Sequence, residues 1–245
     1  MGQSRARLLG MTPEGLTPEL RARLASLEAV LFDLDGTLID TLELIMTSAR
    51  HATRQVLGEA LPDDVLRHNI GIPLKAQMAE YAPDHVPELL AAYREHNETV
   101  HDDLIREFPG TEEALGALRA AGYPMGIVTS KSRPVAQRGL DFFGLEGYFD
   151  CVVGYEDTQV HKPEAEPLRE CARRMGIPAD RCIYVGDSPH DIACGNAAGA
   201  LTVAALWGPF AERVLEPGPT FALGSLGGLA ELLRGVEQSV GRRRA

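Results

Sequence analysis

Short apolar runs alternate with longer amphipathic segments along most of the chain. Five of these runs end abruptly in small polar or acidic residues, and they cover residues 29–35, 124–130, 151–155, 182–187 and 201–206. Continuous apolar character, as opposed to strict alternation, is typical of parallel strands that are covered on both faces. Helical segments lie between the runs and end at glycines 122, 144, 176 and 199. This alternation predicts an α/β fold, with a Rossmann-like parallel sheet flanked by helices.

One interval interrupts this alternation. Between Leu42 and Arg106 apolar residues recur only at helical spacing, so no strand is predicted there. We interpret residues 42–106 as a small helical module that is inserted after the first strand, with Pro109 and Gly110 near its second border. The other predicted units are an N-terminal leader and helix (1–24), an α/β core (25–41 and 107–236) and a C-terminal tail (237–245).

Composition and charge narrow the functional classes. The 245 residues are 44% apolar and 24% charged, and 24 basic residues against 35 acidic residues give a net charge of −11. This charge argues against a nucleic-acid partner, because nucleic-acid-binding proteins usually carry a clustered basic face. No apolar run approaches the roughly 20 residues of a membrane span or forms a signal peptide. The four cysteines include no Cys-x-x-Cys pair, so we expect free thiols, a cytoplasmic location and no membrane partner.

Acidic residues follow the first predicted strand. Asp33 and Asp35 are two residues apart, so their carboxylates begin on the same side of the strand, and Gly36 lets the chain turn sharply after them. Two acidic groups at the carboxyl edge of a buried parallel strand are costly unless a cation or a proton transfer uses them. Ligands of open α/β sheets also bind at that edge. For this pair alone, a helix cap or a turn is an equally good interpretation.

Three further motifs follow later strands. Thr129-Ser130-Lys131 offers hydroxyl donors and a positive charge, and Lys162-Pro163 places a compact ammonium group in an extended loop. Asp187 and Asp191 supply two carboxylates, which suit a hard cation such as Mg²⁺. Each motif alone is also compatible with an ordinary capped loop. Four of them at four strand ends favour a single site.

In this order, the four motifs resemble those of the haloacid dehalogenase-like hydrolases, in particular their phosphatase branch. The resemblance covers about residues 28–235, and residues 42–106 are similar to the small cap domain of that family. The segments around Lys162 and Asp187 are similar to those of phosphoglycolate phosphatases and related pyrophosphatases. The resemblance implies an α/β core with an inserted all-helical cap, and a Mg²⁺-dependent phosphoric monoester hydrolase with a small phosphorylated substrate.

The resemblance also implies a role for each matching residue. Asp33 is expected to be the nucleophile that forms an aspartyl-phosphate, and Asp35 to protonate the leaving oxygen and then activate water. Mg²⁺ is expected to bind the Asp33 carboxylate, the Asp35 backbone carbonyl and Asp187, with Asp191 as a nearby supporting residue. The residues expected to bind the phosphoryl oxygens, or to lie beside them, are Thr129, Ser130, Lys131 and Lys162.

The cap is expected to determine substrate preference. Residues 69–75 are similar to the loop that related caps present to the site, so Lys75 is a candidate contact for a distal anionic group of the substrate. The alternative for Lys75 is a solvated position on a cap helix. Within residues 42–106, eleven acidic residues against six basic ones disfavour a highly charged substrate and favour a small phosphate monoester. The only three lysines of the chain are Lys75, Lys131 and Lys162, all at expected site positions.

Several alternatives stay open. A phosphomutase keeps both acidic residues and a similar cap, whereas a haloacid dehalogenase does not need Asp35, which argues for phosphoryl chemistry. A phospho-acceptor signalling domain combines similar residues but is much shorter and lacks the helical insertion. Phosphoglycolate, pyrophosphate, a sugar phosphate and a nucleotide monophosphate all fit the core as substrates, and the oligomeric state is not predicted. His161 and His190 flank motif residues and are candidates for supporting roles, whereas the five cap histidines are expected to have surface or packing roles.

Overall fold

The computed structural model describes residues 15–68 and 70–240 of the chain. Residues 1–14 of the expected leader, Asn69 at the start of the expected substrate loop, and residues 241–245 of the expected tail lie outside the described residues. The helices α1 to α10 are, in order, Pro18–Ala25, Leu42–Leu57, Asp63–His68, Leu74–Tyr81, Val86–Leu104, Thr111–Ala120, Arg133–Phe143, Glu166–Arg174, Pro189–Ala198 and Leu226–Val240. The strands β1 to β8 are, in order, Ala29–Phe32, Ile39–Asp40, Arg106–Glu107, Met125–Val128, Cys151–Val153, Cys182–Gly186, Leu201–Ala205 and Phe221–Leu223.

Six strands form one parallel sheet in the order β5-β4-β1-β6-β7-β8. β1 lies inside the sheet, with Val30 opposite Met125 of β4 and Ile183 of β6. Five of the six strands coincide with the five apolar runs, and the predicted parallel α/β fold is confirmed. The sixth strand, β8, is not predicted from the sequence, because it has three residues and directly follows a turn-rich segment, residues 217–220.

Helices cover both faces of the sheet. Alternate residues of each strand point to opposite sides, so each strand packs against helices on both faces. Val30 of β1 faces a hydrophobic cluster that includes Leu118 of α6 and Leu229 of α10. Leu31, the next residue, faces the opposite cluster with Leu168 of α8. All four residues of β1 are buried. Polar side chains therefore have no place along this strand and begin only beyond its carboxyl end.

The cap carries α2 to α5, which form a hydrophobic cluster of their own. Its buried members include Met46, Leu66, Met78 and Leu89, and α2 packs along α5. At the base of the cap the two-residue strands β2 and β3 pair antiparallel. Arg106 is in β3, so the expectation that no strand occurs up to this residue is wrong by one position. The limits of the domains stay a prediction.

The ends of the described chain and its cysteines complete the fold. Helix α10 continues to Val240, past residue 236, where the core is expected to end. All four cysteines are free thiols. Within residues 15–68 and 70–240, no helix has the length and apolar character that crossing a membrane requires.

Candidate active site

The carboxyl ends of three neighbouring strands carry expected site residues. Asp33 follows β1, Thr129 follows β4 and Asp187 follows β6, and these strands are adjacent in the sheet. Backbone pairing continues one residue beyond two of them. Asp33 N donates to the Val185 carbonyl at 2.8 Å, and Thr129 N donates to the Val153 carbonyl at 3.0 Å. The sheet itself therefore determines where these side chains begin.

Lys162 reaches this edge from the loop between β5 and α8. Its Nζ donates to Asp33 Oδ1 at 2.8 Å, to Asp191 Oδ1 at 2.7 Å and to the Val128 carbonyl at 3.2 Å. Burial opposes the charge of this side chain, but Asp191 and Asp33 outweigh burial and raise the pKa of Lys162 above its ordinary value. The ammonium group therefore stays charged and occupies one oxygen of each carboxylate.

Three buried carboxylates converge at the same edge. One oxygen from each of Asp33, Asp187 and Asp191 lies within 4.8 Å of the others. Burial, reinforced by Asp191, raises the pKa of Asp33 to about 7 although Lys162 opposes the rise. Burial together with Asp191 and Asp33 raises the pKa of Asp187 well above its ordinary value. A hard divalent cation would offset this repulsion, so the oxygen donors of the cluster fit such an ion.

Asp191 has both of its carboxylate oxygens engaged by the protein. Ser188 N and Oγ donate to Asp191 Oδ2 at 3.0 and 2.6 Å, as a capping box at the start of α9. Its Oδ1 accepts hydrogen bonds from Lys162 and, at 3.1 Å, from the hydroxyl group of Tyr184. Burial opposes ionisation, but Lys162 and Ser188 lower the pKa of Asp191 below its ordinary value. This position suits a residue that supports Lys162.

Asp35 belongs to a second, more open group of side chains. Lys131 Nζ and Thr41 Oγ1 donate to Asp35 Oδ1 at 2.6 and 2.7 Å. The side chains of Lys131 and Asp35 are 15% and 20% exposed. Lys131 was expected beside the phosphoryl oxygens, and the structure pairs it with Asp35. Thr41 has no motif signal of its own apart from its place shortly after Asp35.

Two glycines allow the backbone to pack directly against Asp187. Gly36 has a φ of +79°, and a Cβ atom at this position would lie 2.5 Å from Asp187 Oδ2. A Cβ atom on Gly208 would lie 2.4 Å from Asp187 Cβ. Thr37 Oγ1 donates to Asp187 Oδ1 at 3.1 Å. Thr37 is not among the expected site residues. Its position directly after Gly36, the glycine of the turn, is the sequence feature that could have indicated a role in the site.

Known proteins identify the family of this chain. The sequence profile described as haloacid dehalogenase-like hydrolase matches residues 30–205, which is more than half of the chain. The chain belongs to the haloacid dehalogenase-like hydrolases. Among the relatives of this hydrolase, the pyrophosphatase PpaX of Bacillus velezensis is 39% identical over 180 residues, which are 73% of this chain and 83% of that protein.

Solved structures share the fold of this hydrolase. A haloacid dehalogenase-like family protein of Streptococcus pneumoniae has a TM-score of 0.74 at 25% identity, over 84% of this chain and 97% of that chain. The β-phosphoglucomutase of Clostridium difficile has a TM-score of 0.74 at 17% identity, over 88% of this chain and 100% of that chain. At 17% identity, the similarity to the β-phosphoglucomutase shows a shared fold alone. The resemblance to the phosphatase branch of the family is confirmed.

In this hydrolase the cap and the sheet edge enclose a cavity of about 380 Å³. The expected site residues that line it are Asp33, Asp35, Lys75, Thr129, Ser130, Lys131, Lys162 and Asp187. Lys75 lies in the first turn of α4 and is exposed, so it is both solvated and part of the cavity wall. Asp191 is absent from the lining and contacts Lys162 instead. The structure therefore brings the residues of all four motifs and the cap lysine to one place.

The cap contacts the sheet edge directly. Ser130 Oγ donates to the Gly71 carbonyl at 2.9 Å, so this hydroxyl group binds the cap loop. From the other side, Arg213 Nη1 donates to the His68 carbonyl at 3.1 Å, and Phe210 packs in the hydrophobic cluster of the cap. The segment after β7 thus supports the cap, which the sequence does not predict.

The two histidines beside the motifs lie outside the cavity lining. His161 stacks on Tyr155, with ring centroids 4.4 Å apart. Burial lowers the pKa of His190 below its ordinary value. In the cap, His51 and His96 stack on each other with centroids 4.4 Å apart. Both ring stacks are packing contacts, whereas the buried cap residue His101 pairs with Asp102, its Nδ1 lying 2.7 Å from Asp102 Oδ1.

Proposed function

We propose that this hydrolase is a Mg²⁺-dependent phosphatase that hydrolyses a small phosphate monoester through an aspartyl-phosphate on Asp33. The observation that carries the proposal is the meeting of Asp33, Asp35 and Lys162 in one cavity at the carboxyl edge of the sheet. Phosphoryl transfer depends mainly on positioning and on stabilisation of charge. A nucleophile, an acid–base group and a buried cation at one edge meet both needs.

The cation is proposed to bind the Asp33 carboxylate, the Asp187 carboxylate and the Asp35 backbone carbonyl. A carboxyl group with a pKa of about 7, as Asp33 has in the protein alone, is about half protonated at neutral pH. When bound, Mg²⁺ would supply the positive charge that keeps Asp33 ionised and balances the phosphoryl oxygens. Asp191 is proposed to hold Lys162 in place, because both of its oxygens already accept hydrogen bonds.

Two displacements at phosphorus make up the proposed reaction. An oxygen of Asp33 bonds to phosphorus while the bond to the ester oxygen breaks, and Asp35 gives its proton to that leaving oxygen. Water then bonds to phosphorus, its proton passes to Asp35, and the bond to Asp33 breaks. Lys162 and Thr129 are proposed to bind the phosphoryl oxygens. Lys131 and Thr41 hold the Asp35 carboxyl for both proton transfers.

Pyrophosphate is the second candidate substrate, because the relative in Bacillus velezensis is named a pyrophosphatase. The same two displacements would break its P–O–P bond. A phosphomutase has the same fold but would return the phosphoryl group to a second hydroxyl group, so release of free phosphate separates the two activities. The free thiols favour a reducing compartment, and we propose the cytoplasm.

Phosphate release from p-nitrophenyl phosphate, with Mg²⁺ or with EDTA, tests the proposal. We expect release only with Mg²⁺, and none from Asp33→Asn. Asp63→Asn is the matched control, because Asp63 is an exposed carboxylate on α3 that pairs with Arg50 outside the cavity. Activity that survives both EDTA and Asp33→Asn would overturn the mechanism.

A further inference from the structure

One stripe of helix α5 faces the cavity. The residues of this stripe are three and four positions apart, which places them on the same side of the helix. They are Leu90, Tyr93, Arg94 and Asn97, and all four line the cavity. Leu89, four positions before Tyr93, is buried in the hydrophobic cluster of the cap, and Tyr93 belongs to the same cluster. Helix α5 therefore contributes to both the core of the cap and the cavity wall, and Tyr93 belongs to both.

Tyr93 brings a hydroxyl group without a protein partner to the cavity. The residue is 7% exposed, and its hydroxyl group makes no hydrogen bond within residues 15–68 and 70–240. The hydroxyl oxygen is not sealed off from the cavity, so a ligand can reach it. Burial and the charge of Asp35 raise the pKa of Tyr93 above its ordinary value. The hydroxyl group therefore keeps its proton and can donate to a ligand.

Asn97 lies one turn further along the same stripe. It is 8% exposed, and its Nδ2 donates to Ser48 Oγ at 3.4 Å, which anchors the amide. In the described part of the chain its side-chain carbonyl oxygen accepts no hydrogen bond. The stripe thus offers one donor and one acceptor that open to the cavity, and a hydroxyl-bearing ligand can satisfy both.

Much of the remaining cavity wall is apolar. Its apolar members include Ile45, Ile70, Ile72, Leu74, Leu90 and Phe210. Inorganic pyrophosphate carries charge on its oxygens and gains nothing from such a wall, because charged groups lose hydration beside apolar surface. An organic leaving group with hydrocarbon or ring surface gains from being buried there. This apolar part of the wall favours an ester over pyrophosphate, while Lys75 and Arg94 supply positive charge elsewhere in the lining.

We propose that Tyr93 and Asn97 are specificity-determining residues that bind the organic part of the substrate. The site then takes a phosphate monoester whose leaving group combines hydroxyl groups with an apolar surface, in preference to inorganic pyrophosphate. This inference rests on the proposed phosphatase function and specifies its substrate class. It also separates this chain from the activity for which its relative in Bacillus velezensis is named.

Values of kcat/KM for pyrophosphate, p-nitrophenyl phosphate and a panel of sugar phosphates and nucleoside monophosphates test the inference. At least one hydroxyl-bearing ester should exceed pyrophosphate by tenfold or more. For that ester, Tyr93→Phe should lower kcat/KM by about fivefold, the typical effect of losing one hydrogen bond. The same substitution should change the value for pyrophosphate by less than twofold.

Tyr81→Phe is the matched control. Its hydroxyl group donates to the Leu66 carbonyl at 2.7 Å inside the cap, and Tyr81 does not line the cavity. This variant should leave the ratio of ester to pyrophosphate unchanged. Each ratio is measured on one preparation, so it does not depend on the fraction of folded enzyme.

Two results would overturn the inference and leave the phosphatase function intact. One is a preference for pyrophosphate over every ester, and the other is a Tyr93→Phe variant with the same substrate ratio as Tyr81→Phe. Absence of EDTA-sensitive phosphate release from all substrates would instead overturn the proposed function, and the inference with it.

Discussion

Replacing Lys162 by methionine should destabilise the fold strongly. The Lys162 side chain is 3% exposed, and the side chains of its partners Asp33 and Asp191 are 9% and 0% exposed. Methionine keeps much of the aliphatic stem but leaves two buried carboxylates without their cation. Removing one partner of a buried ion pair costs about 3–5 kcal/mol. Since two carboxylates lose their partner at once, we expect a loss of about 5 kcal/mol in the free energy of unfolding.

Lys131→Met is the matched control for this substitution. Lys131 also pairs with an aspartate of the site, but its side chain and that of Asp35 are 15% and 20% exposed. Water screens a more open pair, so its loss should cost about 1 kcal/mol. The difference between the two variants then measures the effect of burial.

Urea unfolding in EDTA measures both losses. Trp207 is the single tryptophan, and its Nε1 donates to the Thr37 carbonyl at 2.9 Å, so its fluorescence reports on the site edge. The loss for Lys162→Met should shrink as the pH falls from about 7.5 to 5. Without Lys162 the folded-state pKa of both carboxyl groups rises, and a raised carboxyl pKa favours the folded state as protons bind. Equal losses for the two variants, or a loss independent of pH, would refute this account of Lys162.

Three further predictions concern Asp33, Gly36 and Lys75. In EDTA, the stability of Asp33→Asn relative to the wild type should rise by up to about 4 kcal/mol as the pH rises from about 4 to 7. Folding raises the pKa of Asp33 from 3.8 to about 7, so ionisation of Asp33 in this range costs the wild type stability that the asparagine variant keeps. Urea unfolding across that range measures this gain, and a constant difference would contradict it. Gly36→Ala should lower the free energy of unfolding more than Gly58→Ala does. Both positions have positive φ, which costs alanine about 1–2 kcal/mol. Only at Gly36 would the new Cβ atom also meet Asp187. Equal losses in urea would remove the close approach from the explanation. Lys75→Ala should change kcat/KM for monoesters with a second anionic group more than for p-nitrophenyl phosphate, and equal effects on all substrates would exclude Lys75 from recognition.

The positions of Asp33, Thr129 and Asp187 follow from the hydrophobic pattern alone. A strand that is buried on both faces disfavours charged residues until past its end, and the ends of parallel neighbours meet at one edge. The pattern therefore predicts both the sheet and the place of the site. Strand β8 is not predicted in this way, because its three residues are too few to show a hydrophobic pattern.

Pairing inside the site is not predictable in the same way. Lys131, expected beside the phosphoryl oxygens, pairs with Asp35, and Asp191, expected as a supporting residue near the cation, lies beside Asp33 and Asp187 and binds Lys162. These partners depend on the paths of the loops after β4 and β5, about which periodicity says nothing. The sequence does not identify Tyr93 as a site residue, for a different reason. Its spacing from Leu89 and Leu90 indicates a buried helix face, and a cavity wall has the same sequence pattern as a packed core.

Phe210 links access to the site with the packing of the cap. It follows β7 in the sequence, but it is 8% exposed and packs among cap residues. Any outward swing of the cap has to draw this ring out of its neighbours, and full exposure of a phenylalanine side chain costs about 1.5–3 kcal/mol. A cost of that size makes the open form about ten to a hundred times rarer. The packing of this ring would therefore disfavour an outward swing of the cap, and a change at Phe210 can alter how readily substrates enter without touching any group that handles phosphate.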